Sequence, residues 1–183
     1  LYEKVEETLF TNEGKYATTK EEFREIVQDP DQYARVRQIL IPYQCQAEIT
    51  DEDTKESYDD MTLSEKLSAK QTAFSELSEE DQEAAKEAAK ELAEEVLEKA
   101  KNGEDFDSLI KEYGWDPGME TNSQGYYMNR NSNYVEEFIT AGFDLDENEI
   151  SDLVESTTYG WFIIKRLPVD MDYVEENIDS MII

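Results

Sequence analysis

Histidine is missing altogether from this 183-residue sequence, and cysteine occurs once. Without histidine there is no Ser-His-Asp or Cys-His nucleophile pair and no imidazole ligand for a metal. A lone cysteine, Cys45, permits no internal disulfide and no CxxC site. It has no basic neighbour to lower its pKa and reads as an inert thiol. Positive charge is also scarce: 17 Lys and Arg stand against 46 Asp and Glu, a formal net charge of −29. So negative a surface repels phosphate backbones and anionic lipid headgroups, which excludes nucleic acid as a partner. No apolar run approaches the roughly 20 residues that span a bilayer, so no direct membrane insertion is expected. The start at Leu1, without methionine, reads as that of a trimmed or processed fragment; no signal peptide is visible, and trimming would have removed one.

Low hydropathy with high net charge is the compositional signature of disorder. Against it, 38% of residues are hydrophobic and 11% aromatic, spread along the chain. The balance points to a folded domain with acidic, solvated segments, sensitive to salt through self-repulsion.

Residues 1–33 read as helical. Thr19 and Glu22 form a capping box ahead of Phe23 and Ile26, and Asp29-Pro30-Asp31 stops the helix. Residues 33–41 read as a strand whose Ile39-Leu40-Ile41 end is buried on both faces. Residues 48–60 hold seven acids and one base and read as an exposed loop. Thr62 caps a helix through Leu63, Leu67 and Phe74. Ser78 with Asp81 caps a stronger one, with Ala84, Ala85, Ala88, Ala89, Leu92, Val96, Leu97 and Ala100 at helical spacing and Asn102-Gly103 as its stop. A short helix follows Asp105, residues 114–124 are turn-rich, and Gly125-Tyr126-Tyr127-Met128 reads as a strand. A helix through Val135, Phe138 and Phe143, strands at 150–154 and 161–167, and a helical tail at 169–183 complete an α+β plan: a small sheet covered by helices.

Seven fragments, in order over about three quarters of the chain, carry a family resemblance. Val36-Arg37-Gln38-Ile39-Leu40-Ile41 is similar to A-R-H-I-L-V, and Gly103-Glu104-Asp105-Phe106 with Leu109 to G-x-D-F-x-x-L. Tyr113-Gly114-Trp115-Asp116 parallels Y-S-x-D, Gly125-Tyr126-Tyr127 parallels G-x-F, and Val135-Glu136-Glu137-Phe138 parallels V-P-E-F. Glu149-Ile150-Ser151-Asp152-Leu153-Val154 resembles G-E-I-S-x-P-V, and Tyr159-Gly160-Trp161-Phe162-Ile163-Ile164-Lys165 resembles F-G-Y-H-I-I-K. Residues 34–168 thus resemble the parvulin-type peptidyl-prolyl isomerases, whose FKBP-like superfold is a small antiparallel sheet covered by helices. The family's two facing histidines map to Gln38 and Phe162, and the stretch after the first strand is far longer than usual. With helical segments on both sides, the layout resembles PrsA-type foldases, in which a parvulin domain is inserted into a helical chaperone domain. That implies a helical flank at 1–33, a parvulin-like domain at 34–168 with an acidic and helical insertion at about 44–80, and a second flank at 169–183. It also implies an extracytoplasmic location, anchored at the cell surface of a Gram-positive bacterium.

The resemblance implies a foldase isomerising Xaa-Pro bonds in unfolded, secreted polypeptides, with no cofactor. Rotation about the bond requires a dry apolar cup that favours the twisted, less polar amide, and no covalent step. Carried over, Asp116, Gln38 and Phe162 take the catalytic positions, and Gln124, Tyr127, Tyr134, Phe138, Thr157 and Tyr159 the substrate-binding ones. Gln38 and Phe162 either form a larger apolar floor or fill the pocket. Read without the resemblance, Tyr127, Tyr134, Phe138 and Phe162 are ordinary core, Asp116 a turn former and Gln38 a satisfied strand residue. A second function class uses the same fold as a catalytically silent, polypeptide-binding chaperone or scaffold. Asp144, Asp146, Asn148 and Glu155 have EF-hand spacing, but Glu149 stands where the sharp turn needs glycine, and no metal site is assigned.

Overall fold

The computed structural model describes residues 18–182. Helix α1 (Lys20–Gln28) begins with the expected capping box: the Thr19 hydroxyl accepts from the Glu22 N–H, and the Glu22 carboxylate accepts from the Thr19 N–H at 2.8 Å. The remainder of the helical reading at 1–33 falls mainly on residues 1–17, outside those described. Strand β1 (Ala34–Pro42) follows. Four helices then cover the long connection: α2 (Glu52–Ser57), α3 (Leu63–Ser75), α4 (Glu79–Lys101) and α5 (Phe106–Tyr113). A short α6 (Pro117–Thr121) leads to β2 (Tyr126–Met128), α7 (Glu136–Asp144), β3 (Val154–Ser156), β4 (Gly160–Leu167) and α8 (Met171–Met181).

The four strands form one sheet in the order β2-β1-β4-β3, every neighbouring pair antiparallel. Strands β1 and β4 are central, and their register sets Gln38 opposite Ile164 and Leu40 opposite Phe162. Successive side chains on a strand point to opposite faces. Ile39, Ile41, Trp161 and Ile163 accordingly pack against α4 and α5, with the alanine stripe Ala89, Ala93 and Ala100 letting the long helix approach closely. Ala34, Val36, Leu40, Phe162 and Ile164 face the other way, onto Phe138 and Phe143 of α7. Burial of β1 on both faces is thereby met. A third cluster joins the two ends of the described chain: Phe23 and Val27 of α1 meet Val174 and Ile178 of α8. Arg24 reinforces it through a two-pronged bond to Glu175.

Three local expectations need correction. The acidic stretch 48–60 is exposed but not a loop: Asp51 accepts from the Thr54 N–H, and Glu52 and Asp53 sit in the first turn of α2, where they favour the positive end of the helix. Within the turn-rich 114–124, Asp116 caps α6 and Pro117 occupies its first turn, the position proline tolerates in a helix. The strand expected at 150–154 is mostly absent. Ile150 makes one isolated bridge to Lys165, while the Ser151 hydroxyl accepts the Ile164 N–H at 2.9 Å in place of a backbone carbonyl. Pairing resumes only at β3.

Helix caps fix the acid limb of stability. Asp51 (bonded to the Thr54 hydroxyl and N–H), Glu65 (Thr62) and Asp105 (Ser108) are all held below the ordinary carboxylate range, first by the hydroxyl and then by the backbone donor. A carboxyl whose folded value is lowered stabilises the fold above its ordinary value and loses that contribution as pH falls through the lowered one. In high salt, where self-repulsion is screened, the melting temperature should fall as pH drops from about 5 to about 3. A circular-dichroism melting series checks this; a rising Tm would contradict it.

Candidate functional site

A cavity of about 440 Å³ opens on the α7 side of the sheet. That lies within the roughly 300–1,000 Å³ typical of small-ligand sites. Its aromatic wall is a continuous chain of rings. Tyr126 and Tyr134 have centroids 5.5 Å apart, Tyr134 and Phe138 5.5 Å, Phe138 and Phe162 5.3 Å, and Phe162 and Tyr159 6.2 Å. Phe138 and Phe162 are 2% and 4% exposed and make the floor, whereas Tyr134 and Tyr159 are 40% and 48% exposed and make the rim. Phe162 lines the cavity beside Phe138.

The polar edge is organised by one carboxylate. Asp116 Oδ1 accepts the Gly118 N–H at 2.8 Å, which is the cap of α6. Asp116 Oδ2 accepts both Gln38 Nε2 at 2.6 Å and the Tyr126 hydroxyl at 2.8 Å. Burial raises the Tyr126 hydroxyl above the ordinary tyrosine range, and the bond to Asp116 raises it further. Burial likewise raises Tyr134, with the Asp116 charge adding to it. Both remain neutral in any physiological medium. Trp115, whose backbone N–H donates to the Leu40 carbonyl at 2.9 Å, and Pro117 complete this edge.

Of the residues carried over from the resemblance, the structure gathers Gln38, Asp116, Tyr134, Phe138, Tyr159 and Phe162 around this cavity. It does not bring Tyr127, Gln124 and Thr157 there. Tyr127 pairs with Arg35 across the sheet, whereas Tyr126 pairs with Val36, so the pleat sends Tyr127 to the opposite face. There it stacks on Tyr173 at 5.5 Å and lies under Arg35. Gln124 spends its side-chain oxygen and its carbonyl on Arg35, at 2.7 and 2.8 Å. Thr157 is exposed in the turn between β3 and β4, outside the lining.

Among the lining residues that the sequence reading does not assign to the site are Leu40, Leu67, Trp115 and Tyr126. Strand alternation could have supplied Leu40 and Tyr126, since they share the face of Gln38. Leu67 comes from α3, in the long connection after β1, and nothing in its helical stripe distinguishes a cavity wall from packing. Around the EF-hand lookalike, Glu149 turns its carboxylate back onto the Asp146 N–H. Among the described residues no three Cys, Asp or Glu side chains converge as metal ligands.

Residues 18–168 match the family model of the PPIC-type PPIase domain, and the chain belongs to that family of peptidyl-prolyl isomerase domains. Its curated relatives are PrsA foldases. "Foldase protein PrsA" of Caldanaerobacter subterraneus subsp. tengcongensis is 29% identical over 90% of this chain and 48% of its own length. "Foldase protein PrsA 3" of Bacillus cereus is 31% identical over 65% of this chain and 35% of its own. The crystal structure of PrsA from Bacillus subtilis aligns with a TM-score of 0.48 at 21% identity, covering 90% of this chain and 46% of that one. The chain thus spans half or less of the length of these relatives.

Asp116→Asn leaves one side-chain oxygen for three donors and sets an amide N–H₂ against at least one of them. It should cost about 1–3 kcal/mol in urea unfolding, with Tyr126 ring resonances shifting in NMR spectra. Unchanged stability and unchanged Tyr126 signals would show that the hub holds nothing.

Proposed function

We propose that this protein is a foldase that isomerises Xaa-Pro bonds in unfolded polypeptides, using the ring-lined cavity as its proline cup. The observation that supports this most directly is the open, apolar floor of Phe138 and Phe162 in a chain of the PPIC-type family. The barrier to rotation is about 18–20 kcal/mol, and the uncatalysed event takes about 10–100 s. Resonance makes the planar amide polar, and twisting removes it. Moving the proline ring out of water onto an apolar floor therefore penalises the planar state more than the twisted one. No bond to substrate forms and no proton moves.

The polar edge restricts the mechanism further. The Tyr126 hydroxyl and one of the two Nε2 hydrogens of Gln38 are given to Asp116. On this account desolvation and shape carry most of the acceleration. In this reading Asp116 and Gln38 hold the edge of the cup, Tyr134 and Tyr159 clasp the chain on either side of the proline, and Leu67 closes the far wall.

The proposal extends to the setting. Pairing of α1 with α8 would let residues 34–168 stand as an insertion between two helical flanks, and the PrsA relatives support an extracytoplasmic foldase whose clients are secreted, proline-containing chains. Among the described residues no helix is long and apolar enough to cross a membrane. A second reading, a silent polypeptide-binding module, is favoured by Gln38 and Phe162 standing where the resembling family has histidines.

Phe138→Ala removes half of the floor and should lower kcat/KM on Xaa-Pro peptides more than tenfold, about 1.4 kcal/mol, in a protease-coupled assay, with the variant still folded by circular dichroism. An unchanged rate would mean that the cup is misassigned. A wild-type rate at background, with aggregation of an unfolded client still suppressed, would leave the binding module alone.

A further inference from the structure

Leu67 has no core to serve. Its helix, α3, buries only Ala73, and among the described residues Leu67 joins none of the three apolar clusters. What holds α3 lies further along it: Lys70 Nζ donates to the Ala47 carbonyl at 2.6 Å, and the Gln82 amide of α4 donates to the Phe74 carbonyl at 3.2 Å. A single apolar side chain on a convex surface needs no explanation. Leu67 is instead partly buried in a concave one, and what it borders is the cavity. There it shares the lining with Trp115 and Pro117, outside the chain of rings that makes the proline cup.

The cavity has more room than a proline ring fills, since about 440 Å³ is the size of a small-ligand site. What remains falls to a neighbouring side chain. The Cα of the residue before proline lies one bond nearer the ring than the Cα of the residue after it. Charge narrows the choice further. Among the described residues that line the cavity Asp116 is the one charged group, and its partners Gln38, Tyr126 and the Gly118 N–H are neutral. The two lysines of α3 do not join the lining; Lys66 and Lys70 stand over the Tyr58 ring, at 5.4 and 5.9 Å. An anionic side chain entering here meets a carboxylate and no cation. We propose that Leu67 and Trp115 form the subsite for the side chain preceding proline, with Leu67 the specificity-determining residue: the subsite takes apolar side chains and turns away carboxylates and phosphorylated residues. This rests on the proline-cup reading.

Four peptides that differ only in the residue before proline, Leu, Ala, Gln or Glu, test this. Binding is read by NMR titration and isomerisation by exchange spectroscopy on the same samples. The Leu peptide should bind about 5- to 30-fold more tightly than the Ala peptide. Glu should bind about tenfold more weakly than its isostere Gln. Part of that gap should persist in about 1 M salt, which screens exposed surface charge far more than a partly buried contact. Leu67→Ala should lower the Leu-over-Ala ratio severalfold, and Leu67→Lys should bring Glu level with Gln; because the main comparison uses the unaltered protein, it decides even if a variant misfolds. Equal binding of the Leu and Ala peptides, a preference that follows the residue after proline instead, or a Glu–Gln gap that vanishes in salt overturns the assignment. Discrimination that depends on Leu67 without any isomerisation upholds it while sinking the enzymatic reading; isomerisation of all four peptides with no discrimination does the reverse.

Discussion

The carboxylate of Asp116 ties together three elements that sequence separates. One oxygen caps α6, and the other takes Gln38 from β1 and Tyr126 from β2. All three donors are neutral, so the negative charge is compensated by dipoles rather than by a cation. In a chain this poor in Lys and Arg that is a workable economy, since hydrogen bonds to a charged acceptor are stronger than neutral ones. The consequence is rigidity at the polar edge and a complete absence of imidazole from it. Its donors, an amide and a phenol raised by burial, keep one protonation state around neutrality. What the edge offers a ligand is therefore set by geometry and not by titration.

Legibility in the sequence followed the strength of local signals. Helix α4 was readable because its cap, its alanine stripe and its Asn102-Gly103 stop agree with one another. Strand β1 was readable from its β-branched run. The segment at 48–60 was misread because charge density suggests solvation, which was correct, and hides a helix whose only support is a cap and a favourable first turn. The site was legible where motif and face coincided, as for Phe138 and Phe162. It failed at Tyr127, because a motif fixes position along the chain and not which side of the pleat a residue occupies. Tyr126, one residue earlier, shares a face with Val36 and Gln38. Leu67 lay beyond reach altogether: it meets Leu40 and Phe138 at one cavity only through the tertiary path of the long connection after β1.

Charge and cavity fit together. The acids lie mostly on exposed faces of α2, α4 and the turns, while the cavity lining holds a single carboxylate, already bonded. An apolar groove rimmed by exposed Tyr134 and Tyr159 invites self-association. A net charge of −29 opposes it by repulsion between copies, without placing a charge where a proline ring would sit. Solubility and stickiness are thus assigned to different parts of one surface.

In the proposed reading, glutamine and phenylalanine, standing where the resembling family has histidines, change the physics of the cup in one direction. Phe162 removes polar atoms from the floor, so a planar amide loses more hydration on entry and gains less in return. Gln38 gives one of its two amide hydrogens to Asp116, which leaves it fewer free donors for a planar carbonyl than an uncommitted amide has. A cup for proline and a binding groove for unfolded chain share this desolvation; they differ in whether the lost hydration is replaced in the planar state. The fewer donors the cavity offers the planar state, the less of that hydration is replaced, and the more the proposed reading leans to catalysis over simple capture.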